Sequence, residues 1–535
     1  RLSRTRYVSR QYGKLYNTFR EVKRIFDPHN IFNPGKVVGD DDALLEKHLR
    51  RVGEPLPDAL TSAATNGSAV IPQVESARMR SEKPGADSET SILTPLLDWS
   101  EAEAAATARA CNGCGHCRTY SPEARMCPIF RHVPAEEASP RAKGNLMRAV
   151  LTGQLPPEAL ASDEMKSVAD LCVHCHQCRL ECPARVDIPK LMVEAKAQFV
   201  ATNGLGMRRW LLSRIDQLAA WVTLISPFAN WSIANRQARW LIERLIGVAQ
   251  GRKLPRFAAR SFLRTAQRRK LTRPDRRPGH KVLYFVDVYA NWFDDQLAEA
   301  LVEVLQHNGA RVYVHPKQQP SGMHLVSIGV VERARRMARR NVQILAEAVR
   351  QGYTVVTTEP SAALCLSHEY PSLLETEDAQ LVADNTMDAS CYLWKQHQKG
   401  KLELDLQPVN ALVGYHLPCH LRAMEVGSPG ENLLRLIPGL TVRRLEKGCS
   451  GMAGLYGMQR VNYRASLRSG WGLISALRSP DIQAGTTECS TCKIQMEQGT
   501  TKPTLHPIKI LALAYGRMPE LADALKARGE ELVVT

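Results

Sequence analysis

Cys172, Cys175, Cys178 and Cys182, followed by Pro183, are spaced C-x2-C-x2-C-x3-C-P. Such a run turns the chain tightly around one corner of a 4Fe–4S cubane. Three thiolates wrap one cluster, the fourth reaches a neighbouring one, and the proline ends the loop. Cys111, Cys114 and Cys117 make the same wrap, and Cys127-Pro128 follows after nine intervening residues. The expected ligation is crossed: Cys111, Cys114, Cys117 and Cys182 on one cluster, and Cys172, Cys175, Cys178 and Cys127 on the other. Zinc is the rival, because C-x2-C pairs also make zinc knuckles. Zinc takes four ligands per ion and has no use for a third cysteine at the same spacing or for a closing C-P. Clusters held by shared loops lie close together, which is what electron relay requires. His116, His174 and His176 fall inside these loops and read as hydrogen-bond donors to the clusters, or as exposed loop residues, rather than as ligands.

A second set comprises Cys419, Cys449, Cys489 and Cys492, in YHLPCH, GCSG and ECSTC. All are expected on loops that follow strands, where α/β folds place binding sites. Three readings stay open: a third iron–sulfur cluster, a zinc ion, or a dithiol pair with two buried cysteines. His416 and His420 flank Cys419 and either orient that site or serve the core. Cys365 and Cys391 have no partners at ligand spacing and read as core thiols.

The elements that must position these residues belong to a chain of 535 residues, long enough for several domains. Its net charge is +17, with arginine outnumbering lysine, which favours anionic partners. Clustered cysteines in a large basic chain argue for a reducing compartment, so the expected location is cytoplasmic. Residues 1–42 read as one amphipathic helix that stops at DPHN, with a turn at Asn33–Lys36; residues 43–94 as a linker rich in Ser, Ala, Pro and Gly; residues 95–200 as the helical cysteine region. Residues 201–279 read as basic helices, and 280–400 and 401–520 as two copies of one α/β unit, with a tail at 521–535. The copies align QQPSGMHLVSIG with KGCSGMAGLYG and VVTTEPSAALC with AGTTECSTC, and the separation of Ser321 from Glu359 equals that of Ser450 from Glu488. In this alignment Cys449, Cys489 and Cys492 face Pro320, Pro360 and Ala363, so only the second copy can hold a metal. KVLYFVDV, 281–288, is expected as a strand. No apolar run approaches a membrane span; Leu218 to Trp231 is too short, contains Pro227, and is expected as a buried or interfacial helix.

These motifs together resemble the iron–sulfur half of FAD-linked 2-hydroxyacid dehydrogenases of the D-lactate, glycolate and D-2-hydroxyglutarate type, and the glycerol-3-phosphate dehydrogenase subunit of the same layout. The repeats are similar to the cysteine-rich CCG domain shared with heterodisulfide reductases. Here Ser450 stands where the second CCG cysteine would be, which argues against a non-cubane cluster. YGKLYNTFREVKRIFDPHNIFNPGK, Tyr12 to Lys36, resembles the end of an FAD-linked oxidase C-terminal domain. The resemblance implies an α+β multidomain chain, with a mostly helical dicluster ferredoxin domain followed by a pseudo-duplicated α/β CCG-type domain. It further implies FAD in a dehydrogenase domain preceding Arg1 or carried on a separate polypeptide, with Asn33 and Lys36 near the flavin. Electrons would pass from flavin through the clusters to a quinone or protein acceptor, with peripheral contact to the inner face of the membrane through the basic helices. A metal-stabilised nucleic-acid-binding protein is the reading from another class. Basic residues spread along helices, few aromatics and no nucleic-acid motif argue against it.

Overall fold

The computed structural model describes residues 2–39, 41, 44, 93–121, 126–133, 135–275 and 279–526. The expected linker and C-terminal tail therefore lie largely outside the described residues. The chain divides into two units, Arg1–Lys83 and Pro84–Thr535.

In the first unit the expected single helix is two, Leu2–Tyr12 and Leu15–Phe26. Gly13 separates them at φ +51°, a left-handed conformation that ends a helix and costs glycine little. The second helix stops at Asp27, as DPHN predicts. The Asp27 carboxylate accepts hydrogen bonds from the Ile31 and Phe32 amides at 2.8 and 2.9 Å, and pairs with Lys23. Ile25 and Phe26 are left 73% and 80% exposed.

The second unit opens with the cysteine region. Its helices Glu101–Arg109, Pro140–Leu151, Asp163–Asp170 and Ile188–Asn203 begin at Ser100, Ser139, Ser162 and Asp187. Each of these side chains accepts a hydrogen bond from a first-turn amide that would otherwise lack a partner, and Ser100 and Glu103 form a reciprocal capping box. Met147, Leu191 and Met192 pack at the centre. The buried Glu194 carboxylate accepts from the Leu96 and Leu97 amides at 2.8 and 3.0 Å, and so ties the entering segment to the last helix.

Helices follow, at Met207–Leu212, Ile215–Leu224, Ser226–Ala234, Arg236–Ile246 and Phe262–Arg268, of which the second and third carry no basic residue. The expected helix over Leu218 to Trp231 is thus broken, because Pro227 suits the first turn of a new helix rather than the interior of an old one. Nor is this stretch buried: Trp221 and Phe228 are 73% and 63% exposed. Arg252 anchors the segment, donating to the Gly457 carbonyl and the Ser466 hydroxyl, both at 3.0 Å, and to the Gln495 amide oxygen.

Two four-stranded parallel sheets complete the unit. Strands β1 (Lys281–Tyr284), β2 (Arg311–Tyr313), β3 (Thr354–Thr357) and β4 (Thr386–Asp388) run in the order β2-β1-β3-β4. Strands β5 (Ala411–Tyr415), β6 (Leu440–Arg444), β7 (Ala484–Thr486) and β8 (Thr504–Leu505) run β6-β5-β7-β8. The first strand is shorter than KVLYFVDV suggested, since Val288 already begins a helix. One apolar core joins the sheets, with Tyr284, Leu301 and Tyr392 from one side and Tyr415, Leu434 and Ile510 from the other. The architecture is therefore α+β: a helical region followed by two small parallel sheets.

His506, just after β8, joins the sheets. Its Nε2 donates to the Thr358 carbonyl at 3.1 Å, and its Nδ1 accepts from the Ile508 amide at 3.0 Å, capping the last helix. Burial pushes this imidazole down to about 3, whereas an unfolded histidine titrates near about 6.5. Above pH 6.5 the ring is neutral in both states and its contribution is fully present. As pH falls below that, the unfolded chain binds a proton that the folded chain refuses. Between pH 8 and pH 5 the wild type should lose about 2 kcal/mol more stability than His506→Asn. Denaturant titrations of both proteins at the two pH values measure the difference.

Candidate metal centre

The cysteines 111, 114 and 117 lie just past the helix Glu101–Arg109. Gly113 and Gly115, at φ +74° and +76°, allow the tight reversals between them. Cys182 ends the short helix Gln177–Glu181. Burial raises the Cys117 thiol; an Arg141 backbone hydrogen bond opposes it, and the Cys111 and Cys114 thiols add to the rise. Cys178 is raised well above its usual range by burial, then by Cys172 and Cys127. Cys175 is raised by burial, then by Cys419, Cys178, Cys127 and Cys449. The thiols that act on one another across the sequence gap are therefore 127 with 175 and 178.

None of the fourteen cysteines is in a disulfide. Among the described residues, no three cysteine sulfurs converge within 4.8 Å of one another. Tetrahedral zinc at about 2.3 Å from each sulfur needs neighbouring sulfurs about 3.8 Å apart. The sets are too open for one small ion, whereas a cubane spreads its four thiolates over four irons. A buried thiol also stays protonated unless a cation replaces the proton. The donors present thus fit iron–sulfur clusters.

The loop 172–178 is held on several sides. Lys196, buried, donates to the carbonyls of Cys172 and of Ser327 in the first sheet unit, both at 2.7 Å. Gln177 donates to the Cys175 and Cys419 carbonyls at 3.2 and 2.9 Å. His420 Nε2 lies 2.9 Å from the His174 carbonyl, and Arg422 pairs with Glu181. His420, read from the sequence as orienting the second set or serving the core, has its Nδ1 2.9 Å from the Ser361 hydroxyl, so it bridges the loop 172–178 and the first sheet unit. His174 and His176 are buried, contrary to an exposed loop reading, because the sheets cover them; His116 is exposed.

Cys419 begins the helix Cys419–Ala423 after β5, Cys449 lies in the loop after β6, and Cys489 and Cys492 lie at the start of the helix Ser490–Met496 after β7. The strand-end loops therefore carry all four. A hydrogen bond from Cys492 holds the Cys489 thiol down to about 6. Ser450, at the missing CCG cysteine, donates to the Cys492 sulfur at 3.2 Å. Arg131 feels both Cys449 and Cys127, and Cys175 feels Cys419 and Cys449, so this set adjoins the loops of the first. Cys365 and Cys391 are buried, and Cys365 donates to the Ser321 carbonyl at 3.3 Å. In the other unit Asn33 and Lys36 close a turn, with the Lys36 amide 3.1 Å from the Asn33 carbonyl.

Sequence reasoning missed Lys196, Gln177, Arg179 and Glu369. Their partners lie far along the chain, and spacing alone carries no signal for such pairs. Lys196→Met keeps the aliphatic stem but strands two buried carbonyls, each worth about 1–3 kcal/mol. The variant should lower the denaturation midpoint and speed cluster loss in air, both visible by absorbance near the charge-transfer bands.

Three family models match: a 4Fe-4S dicluster domain over residues 107–186, the C-terminal domain of FAD linked oxidases over 2–37, and a cysteine-rich domain over 413–497. A subunit of the anaerobic glycerol-3-phosphate dehydrogenase of Escherichia coli is 30% identical over 62% of this chain and 83% of its own length. The D-2-hydroxyglutarate dehydrogenase of Pseudomonas putida is 21% identical over 95% of this chain, which spans 50% of that protein. A subunit of the fumarate reductase (CoM/CoB) of Methanothermobacter marburgensis is 26% identical over 44% of this chain and 45% of its own. Dicluster, cysteine-rich domain and flavin-oxidase end occur here in one chain, which belongs to the family of that glycerol-3-phosphate dehydrogenase subunit and forms the iron–sulfur part of an FAD-linked dehydrogenase.

Proposed function

We propose that this chain relays electrons from a reduced flavin, through two 4Fe–4S clusters with crossed ligation, to a quinone or carrier protein. The observation that carries this is that Cys127 lies within electrostatic reach of Cys175 and Cys178 across the chain, inside a stretch matched by a 4Fe-4S dicluster domain. Cys111, Cys114, Cys117 and Cys182 hold the first cluster, and Cys172, Cys175, Cys178 and Cys127 the second. A bound cluster supplies one-electron steps between a two-electron flavin and its acceptor. The residues around it do the rest. Lys196 and Gln177 fix the loops, and the core of the helical region buries Cys178.

Cys419, Cys449, Cys489 and Cys492 hold a third iron–sulfur cluster in this reading. Its support is their openness and their electrostatic contact with Cys175. The equal strand order of the sheets supports two copies of one unit, 280–400 and 401–520, of which the second keeps the ligands. The donor is a flavin-bearing dehydrogenase part acting on a 2-hydroxyacid, with Asn33 and Lys36 at its flavin side. The match of 2–37 to a flavin-oxidase end and the exposed Ile25 and Phe26 favour a fused partner. The Escherichia coli relative, itself one subunit of a glycerol-3-phosphate dehydrogenase, favours a separate dehydrogenase chain as the second reading.

Iron and acid-labile sulfide should each reach about eight per chain for two clusters, or about twelve if the third is present. Cys127→Ser and Cys172→Ser should abolish the same reduced EPR signal, and Cys117→Ser and Cys182→Ser the other. Stoichiometric zinc without sulfide overturns the reading.

The exposed Trp221, Phe228 and Trp231 lie on two helices without basic residues, flanked by the arginine-bearing helices Met207–Leu212 and Arg236–Ile246, and together these support peripheral binding to an anionic bilayer. Among the described residues no helix is long and apolar enough to cross one. The protein should sediment with phosphatidylglycerol vesicles, less so in high salt, and Trp221→Ser/Phe228→Ser/Trp231→Ser should bind at least tenfold more weakly. Equal binding by the triple variant removes the membrane role from these helices.

A further inference from the structure

His174 and His176 stand on either side of Cys175, and both adopt left-handed backbone, φ +56° and +59°. Such backbone is unfavourable for a non-glycine residue and persists only where the surroundings impose it. Here it brings two imidazoles together, with Nε2 atoms 3.1 Å apart. Both nitrogens converge on Glu369 Oε1, at 3.2 Å from His174 and 3.1 Å from His176. Glu369 arrives from the first sheet unit, at the end of a π-helical turn, Cys365–Glu369. All three residues are more than nine-tenths buried.

As protein alone this cluster is incomplete. Despite the two nearby nitrogens, Glu369 Oε1 makes no aligned hydrogen bond, and neither do the Nδ1 atoms of the two rings. Of these atoms Glu369 Oε1 is the one that faces both Nε2 atoms, and a buried carboxylate oxygen left without an aligned donor suits a cation. Three nearly equal separations are the edges of a coordination polyhedron. A metal about 2.0–2.1 Å from each donor sets edges of about 2.9 Å at right angles and about 3.4 Å at the tetrahedral angle. The observed edges fall between.

We propose that His174 Nε2, His176 Nε2 and Glu369 Oε1 bind one divalent first-row transition ion, zinc or ferrous iron, at the seam between the second cluster loop and the first sheet unit. Two imidazoles and a carboxylate, with no sulfur, suit these borderline ions. Neighbouring rings do not complete the set. His420 is engaged by the His174 carbonyl and the Ser361 hydroxyl, and His368 lies against Arg179. The ion neutralises the buried carboxylate and pins both flanks of Cys175 to the first sheet unit, which has no cysteine ligands of its own.

The site is independent of the cluster reading, because its metal comes without sulfide. Anaerobically purified full-length protein, with its clusters, is analysed for iron, zinc and acid-labile sulfide, and by zinc and iron K-edge absorption. The expected result is one zinc, or one iron in excess of sulfide, per chain, with a nitrogen/oxygen shell. In Glu369→Gln that metal should fall at least tenfold while sulfide stays constant. The proposal is overturned by wild-type protein with no metal beyond the sulfide-matched iron, by sulfur ligation of the extra metal, or by its retention in Glu369→Gln. If the variant does not fold, the wild-type stoichiometry and edge spectra decide alone. Loss of sulfide with the extra metal intact would instead count against the clusters.

Discussion

Cys175 and Cys178 must be kept from water, yet the loop that carries them is too tightly turned to pair its own backbone. Everything around it answers that conflict. Lys196 gives one buried ammonium to carbonyls on two sides, Cys172 and Ser327. Gln177 reaches the Cys419 carbonyl, and His420 meets that of His174. A buried carbonyl without a donor is costly, so these side chains add to the apolar core in which Leu97, Val193 and Ala197 of the helical region pack against Leu283 and Phe285 of the first sheet.

The sheets share strand order but divide their labour. The second presents Cys419, Cys449, Cys489 and Cys492 on its strand-end loops. The first presents no such set and gives support instead. Glu359 reaches across to accept from the Ser490 amide at 3.3 Å and to hold the Ser490 hydroxyl, fixing the turn that bears Cys489 and Cys492. A unit without ligands is thus part of its neighbour's site, and the single apolar core makes the two inseparable.

Much of this was legible in the sequence because it is local. Two-residue spacing forces cysteines around a cubane corner, apolar runs mark buried parallel strands, and Pro28 stops a helix for steric reasons, whereas the break at Pro227 was not read. The misreadings are local too. Gly13 splits a helix that periodicity alone extends, and Asp287 turns into a helix a chain that hydrophobicity would continue as strand. What could not be read is long-range. Nothing near Glu369 announces His174 and His176, and Lys196 resembles any helical lysine until Ser327 stands opposite. Even the buried state of those histidines depends on sheets encoded far downstream.

That last dependence sets an order of assembly. The residues that cover the loop 172–178, namely Ser327, Glu369, Cys419 and His420, are synthesised long after it. Until they emerge, the thiols lie open on a half-built surface that a delivery protein can reach. Once the sheets close, Cys178 is buried and Cys172 and Cys175 are only partly exposed. A loop met before closure is therefore less hindered than the same loop met after it.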